Sequence, residues 1–195
     1  MATVPKSSLT PQQYLAQERN AEFKSQYFRG EMFAMAGASR EHNLIVANIV
    51  RELGNALKGR RCEVYPSDMR VKVAKSGLYT YPDATVVCTE PEFEDDQFDT
   101  LTNPTVLFEV LSDSTESYDR GGKFRRYREI DSLKEYVMIS QDQASVECYL
   151  RQAGGQWLLK ETQSLQESVT FESIQVTISL AELYRNVSFE VPPQP

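Results

Sequence analysis

One run of seven residues constrains the fold more than any other part of the chain. It is Thr105-Val106-Leu107-Phe108-Glu109-Val110-Leu111, opened by Pro104 and closed by Ser112-Asp113-Ser114. A short apolar run bounded by turn residues reads as a strand covered on both faces, inside a sheet with layers packed above and below it. Glu109 breaks the chemistry of that run. An isolated ionised carboxylate is unstable in such a place, so it must be protonated, paired or bound to a cation. A second stretch, Tyr81-Pro82-Asp83-Ala84-Thr85-Val86-Val87-Cys88, carries Asp83 at its start. Two acids at strand positions, with a basic helix just downstream, point to a divalent-metal site for phosphate chemistry.

The rest of the chain supplies the layers. Thr10-Pro11-Gln12-Gln13 has the pattern of an N-cap, a proline at N1 and a capping-box glutamine, which predicts a short helix. Short strands are expected over 22–28 and 31–35. Ser39 then caps a longer helix over about 40–58, ending before Gly59. His42, Val46, Ile49, Val50, Leu53 and Leu57 form its apolar stripe. Strands are predicted near 61–65, 68–73, 81–88 and 104–111, a helix near 117–129, and strands near 134–140 and 145–151. Residues 157–162 and 169–178 read as further strand material, and Ser179 opens a short terminal helix. No repeat or long linker divides the chain. The expectation is a single domain over 1–195, its core about 10–185, with a frayed proline-rich tail at 191–195. The fold class is α/β (α+β), a mixed central sheet flanked by helices. The Glu109 strand, the helix after it and the 134–140 strand form a candidate crossover unit, which makes the Glu109 strand central.

Composition narrows the function. With 41% hydrophobic and 25% charged residues the chain has enough apolar material for a core. No stretch is long and apolar enough to span a membrane, and the first residues carry no apolar signal core, so the default location is cytoplasmic. Cys62, Cys88 and Cys148 are far apart, odd in number and without a CxxC pattern, which predicts reduced, mostly buried thiols. His42 is the only histidine, excluding a multi-histidine zinc centre within one chain. The net charge of −7 argues against a phosphate-backbone partner, but six of the acids lie in 90–99, a segment with no base that is expected to be a solvated loop. Arg120, Lys123, Arg125, Arg126 and Arg128 cluster instead just after the Glu109 strand.

Pro82-Asp83 followed by Glu109-Val110-Leu111 resembles the PD-(D/E)XK nuclease signature. The wider set adds Phe108 and Ser112 beside it, then Thr115, Asp119, Lys123, Tyr127 and Glu135-Tyr136. Together these resemble the Uma family of restriction-endonuclease-like proteins, over residues 10 to 185. The resemblance implies a restriction-endonuclease-like fold and a Mg²⁺- (or Mn²⁺-) dependent endonuclease acting on DNA. Asp83, Glu109 and the Val110 carbonyl would hold the metal. The superfamily pattern puts a lysine two residues after the acid, where this chain has Leu111. The resemblance implies a lysine supplied from the following helix, and Lys123 is the matching position. Asp119, Lys123 and Tyr127 recur at i, i+4 and i+8 and so share one helix face. The resemblance also makes His42 an accessory site residue, with Glu31 and Glu41 competing for a further acidic position.

Each residue also has a plainer reading. Glu109 pairs with Arg125 or Arg126, Asp83 ends a strand in a Pro-Asp turn, and Lys123 pairs with Asp119 on a solvated face. His42 is a hydrogen-bonded core histidine. Arg120, Arg125 and Arg126 hold flanking phosphates or simply form an exposed basic face. The expected partners are double-stranded DNA and a second copy of the chain in a homodimer. The alternative function is an inactive module of the same fold that binds nucleic acid or protein.

Overall fold

Thr10 accepts a hydrogen bond from the Gln13 backbone and Gln13 returns one, so the predicted capping box opens helix α1 (Pro11–Glu18). The computed structural model describes residues 8–189; the proline-rich tail lies outside the described residues. A hairpin of β1 (Ser25–Phe28) and β2 (Glu31–Ala34) leads into helix α2 (Arg40–Ala56). Strands β3 (Glu63–Pro66), β4 (Arg70–Val73), β5 (Leu78–Thr80), β6 (Ala84–Val87), β7 (Thr100–Leu101) and β8 (Val106–Leu111) follow. A broken helix comes next, made of α3 (Glu116–Tyr118), a π turn over Asp119–Lys123 and α4 (Phe124–Tyr127). Strands β9 (Glu135–Ser140), β10 (Val146–Arg151), β11 (Trp157–Thr162), β12 (Ser168–Phe171) and β13 (Val176–Ser179) precede helix α5 (Leu180–Leu183).

The six-stranded sheet runs β11-β10-β9-β8-β6-β3, so β8 and β9 are central, and they pair in parallel across the helical crossover. Its other neighbours are antiparallel. A five-stranded sheet runs β2-β1-β5-β4-β7, and β12 and β13 form a separate hairpin.

Both faces of β8 are covered, as the apolar run requires. Side chains alternate along a strand. Val106, Phe108 and Val110 therefore pack with Ile45, Ile49 and Leu53 of α2, and Phe108 meets Phe171 edge to face at 5.1 Å. Leu107 and Leu111 face the other way, toward Phe124, Tyr127 and Tyr136, with Val71 and Val73 of the second sheet. Each such fully buried side chain contributes roughly 1.5–3 kcal/mol.

Several expectations change here. The strand predicted over 68–73 is β4, but it belongs to the second sheet with β5, since the chain turns at Gly77 (φ +73°) and only re-enters the main sheet at β6. On α2 the buried stripe is Ile45, Asn48, Ile49 and Leu53, one position round from the predicted one. Asn48 is buried because its amide donates to the carbonyls of Leu183 and Arg185, both at 2.9 Å, which ties α2 to the C-terminal helix. The helix predicted near 117–129 begins at Glu116, ends at Tyr127 and is interrupted by the π turn.

The acidic segment is not simply solvated. Arg19 bonds Asp95 and Asp99, and Lys72 pairs with Glu94 at 2.5 Å. The cysteine expectation fails for two of three residues. The β3–β6 register pairs Glu63 with Val87, which sets Cys62 and Cys88 side by side, and they form a disulfide. Cys148 remains a buried free thiol. Strand pairing, invisible in the 26-residue spacing, is what brings the two together.

Candidate active site

The two-residue period of β8 aims Glu109 along the Leu107–Leu111 face, toward the broken helix. Only 3% of it is exposed. Its Oε2 lies 2.8 Å from Lys123 Nζ, and its Oε1 accepts a hydrogen bond from the Tyr127 hydroxyl at 2.8 Å. Lys123 Nζ also stands 3.1 Å from Asp119 Oδ1. Asp119, Lys123 and Tyr127 are all buried. The compensating partner that the sequence demanded is therefore Lys123, not Arg125 or Arg126.

The π turn from Asp119 to Lys123 shapes this meeting of side chains. Such turns insert an extra residue into a helix and recur at functional sites. Gly122 lies within it, where a Cβ would come 3.1 Å from both the Tyr118 ring and Arg126 Nη1.

The same period explains Leu111. A lysine two residues after Glu109 would project from the same strand face. Here that position is occupied by a buried leucine in the cluster with Phe124. The cation instead comes down onto that face from the helix covering it. The resemblance assigned this task to Lys123, and the geometry puts its ammonium on the acid.

Asp83 is held by a different device. Ala84 pairs with Phe108, so Asp83 falls next to Glu109 across the strand pair. The ladder of β6 starts only at Ala84, and just before it the Asp83 carboxylate stands in for a backbone carbonyl as acceptor. Its Oδ2 accepts the Val110 N–H at 2.7 Å, while its own N–H donates to the Phe108 carbonyl at 3.1 Å. His42, in the first turn of α2, brings Nε2 to 3.3 Å from the same Oδ2. Its Nδ1 is buried with no hydrogen-bond partner among the described residues.

Electrostatics follow from this packing. Burial pushes the Glu109 carboxyl up to about 8; Lys123 opposes the shift, and Asp119 and Asp83 add to it. Burial alone would draw the Lys123 ammonium down, but Glu109 and Asp119 override it and hold the pKa above the usual lysine value. Burial, then Glu109, raises Tyr127 well above the ordinary phenol value, so it remains a donor.

A cleft of about 860 Å³ opens onto Asp83, Glu109, Val110 and Lys123. His42 lines it too. Among the described residues no three His, Cys, Asp or Glu side chains converge as a ready-made metal cage. Magnesium commonly takes one or two protein carboxylates and keeps several waters. The two hard carboxylates beside an open cleft fit that donor set.

The other predicted residues lie elsewhere. Arg120 is engaged by Glu116 and Glu147, each at 2.6 Å. Arg126 donates to the Gly122 carbonyl at 2.7 Å and lies 4.1 Å over the Phe28 ring. Arg125 is exposed on α4. Glu31 is exposed on β2, and Glu41 pairs with Arg40 at 3.0 Å. None of these five lines the cleft. Another part of the lining went unpredicted: Phe23, Lys24, Gln26 and Met35, from the β1–β2 hairpin and its flanks. The signal available was Phe23 itself, a large ring between Glu22 and Lys24 with no apolar periodicity around it.

A central strand with a buried acid, a second acid across the strand pair and a lysine drawn onto the first define a restriction-endonuclease-like fold. Residues 11–182 match the Uma2 family, described as "Putative restriction endonuclease", and the chain belongs to that family. Uncharacterized protein slr1290 of Synechocystis is 33% identical over 187 residues, 96% of this chain and 97% of that protein. Uncharacterized protein sll1609 of the same organism is 38% identical over 168 residues, 86% of this chain and 95% of that one. The crystal structure of a putative nuclease belonging to DUF820 from Anabaena variabilis shares the fold, with a TM-score of 0.71 at 16% identity. The match covers 90% of this chain and 97% of that one.

Proposed function

We propose that this protein is a Mg²⁺- or Mn²⁺-dependent endonuclease that hydrolyses DNA phosphodiester bonds. The observation that carries the reading is the Lys123 ammonium 2.8 Å from Glu109, which supplies the cation that Leu111 does not. Asp83 and Glu109, with the Val110 carbonyl, would hold the metal. When bound, the metal polarises the phosphate and acidifies a water for in-line attack. Lys123 orients that water or stabilises charge on a phosphate oxygen. Tyr127 keeps Glu109 in position, and His42 does the same for Asp83. Arg125, exposed on α4, is the arginine of the three best able to meet a flanking phosphate. A homodimer is a separate expectation, read by sedimentation.

The test is supercoiled plasmid with Mg²⁺ or Mn²⁺, beside EDTA and a Glu109→Gln control. Metal-dependent nicking that the substitution abolishes, with the fold retained, supports the reading. Nicking that persists in Glu109→Gln would sink the site assignment.

One observation favours the inactive-module alternative: both Glu109 oxygens have protein partners, Lys123 and Tyr127. Thermal stabilisation by Mg²⁺ that Asp83→Ala removes counts against it, since a purely scaffolding acid has no use for the ion.

A further inference from the structure

The cleft lining includes exposed apolar side chains. Phe23 is 71% exposed and Met35 is 37% exposed, and both line the same cleft as Asp83, Glu109 and Lys123. Phe33, 42% exposed, sits opposite Gln26 in the hairpin register, and Gln26 lines the cleft as well. Tyr118 adds a half-buried ring to the lining. Clustered exposed apolar side chains mark a contact surface.

Charge decides what that surface meets. The chain carries −7 overall, and the cleft adds Glu22 and Asp113 to the acids of the site against one further lysine, Lys24, which is paired with Asp68. Arg120 and Arg126 are engaged within the fold. Duplex DNA is gripped chiefly through its phosphates, by many lysines and arginines, and this surface does not offer them. A single strand has a lower charge density than a duplex, and stacking on an aromatic ring adds about 1–3 kcal/mol per base whatever the base, so fewer cations hold it. An intact duplex, however, keeps its base faces stacked inside, out of reach of a ring lining the cleft.

On the basis of the nuclease reading, we infer that Phe23, flanked by Met35, stacks an unpaired base of a single DNA strand whose backbone runs past Glu109 and Lys123. The preferred substrate is then single-stranded or locally unpaired DNA, in place of the duplex suggested by the family resemblance.

Binding, without turnover, tests this. Full-length Glu109→Gln protein in EDTA is titrated into a short fluorescein-labelled single strand, or into the same sequence closed as a hairpin duplex, and anisotropy is read. The single strand should bind more tightly than the duplex. Phe23→Ala should weaken it about tenfold or more, while Phe23→Trp retains it. Circular dichroism of each variant confirms the fold. Equal or tighter duplex binding, or an unchanged affinity in Phe23→Ala, overturns the inference. A protein that nicks plasmid but shows either result loses the stacking site and keeps the nuclease reading. One that grips single strands through Phe23 yet never cleaves keeps the stacking site and loses the nuclease.

Discussion

Replacing Lys123 by methionine keeps the aliphatic stem and deletes the charge. Glu109 and Asp119 are then left 3% and 2% exposed without their shared cation. Removing one partner of a buried pair costs about 3–5 kcal/mol. Protonation limits that cost. Glu109 is held at about 8 with the lysine present, against an ordinary 4.5, and burial pushes it higher once the lysine is gone. A carboxyl whose folded pKa is raised contributes stability below its unfolded value and loses it as the pH rises through the folded one. The substitution is therefore mild near about pH 6, where Glu109 can be neutral, and severe near about pH 9, where keeping the buried carboxyl protonated costs the most. At the higher pH a loss of about 3 kcal/mol lowers Tm by about 6–12 °C for a chain of this size. Urea melts followed by circular dichroism at the two pH values measure it. Lys123→Met/Glu109→Gln should recover most of the loss, because an amide needs no counter-charge. A Lys123→Met loss under about 0.5 kcal/mol at the high pH, the range of an unremarkable surface change, would refute the reasoning. So would an equal loss at both.

Tyr127→Phe removes one bond to a buried acceptor at constant shape and should destabilise by about 1–3 kcal/mol, read from the urea midpoint at unchanged m. Arg19 holds Asp99 down at about 2, so the stability from that pair is present above the ordinary 3.8 and disappears as the pH falls through about 2. Arg19→Ala should cost under about 1 kcal/mol at neutral pH, and its melting curve should converge on wild type in acid. Reducing the Cys62–Cys88 disulfide, which spans 26 residues, should lower stability by about 3 kcal/mol. Cys62→Ser/Cys88→Ser protein should not respond to the same reductant.

The central strand was legible because its pattern is local: seven residues with one misplaced acid specify two covered faces and a compensating partner. The caps at Thr10 and Ser39 were legible for the same reason, since each donor and acceptor lies within three residues. The sequence by itself left Arg125 and Arg126 as candidate partners of Glu109, and the resemblance alone pointed to Lys123. Spacing along a helix does not say which strand residue the helix will cover.

The apolar run, through its two-residue period, determined that Glu109 would be buried and would have to be protonated, paired or bound to a cation. The tertiary structure seats Lys123 and Tyr127 on that carboxylate, with Asp119 paired to the same lysine. It likewise joined Cys62 to Cys88 by strand register, tied the acidic loop to Arg19, and brought Phe23 to the same cleft as the acids. Those pairings are long-range. Their free energy depends on which layers meet, and that is absent from any window of local sequence.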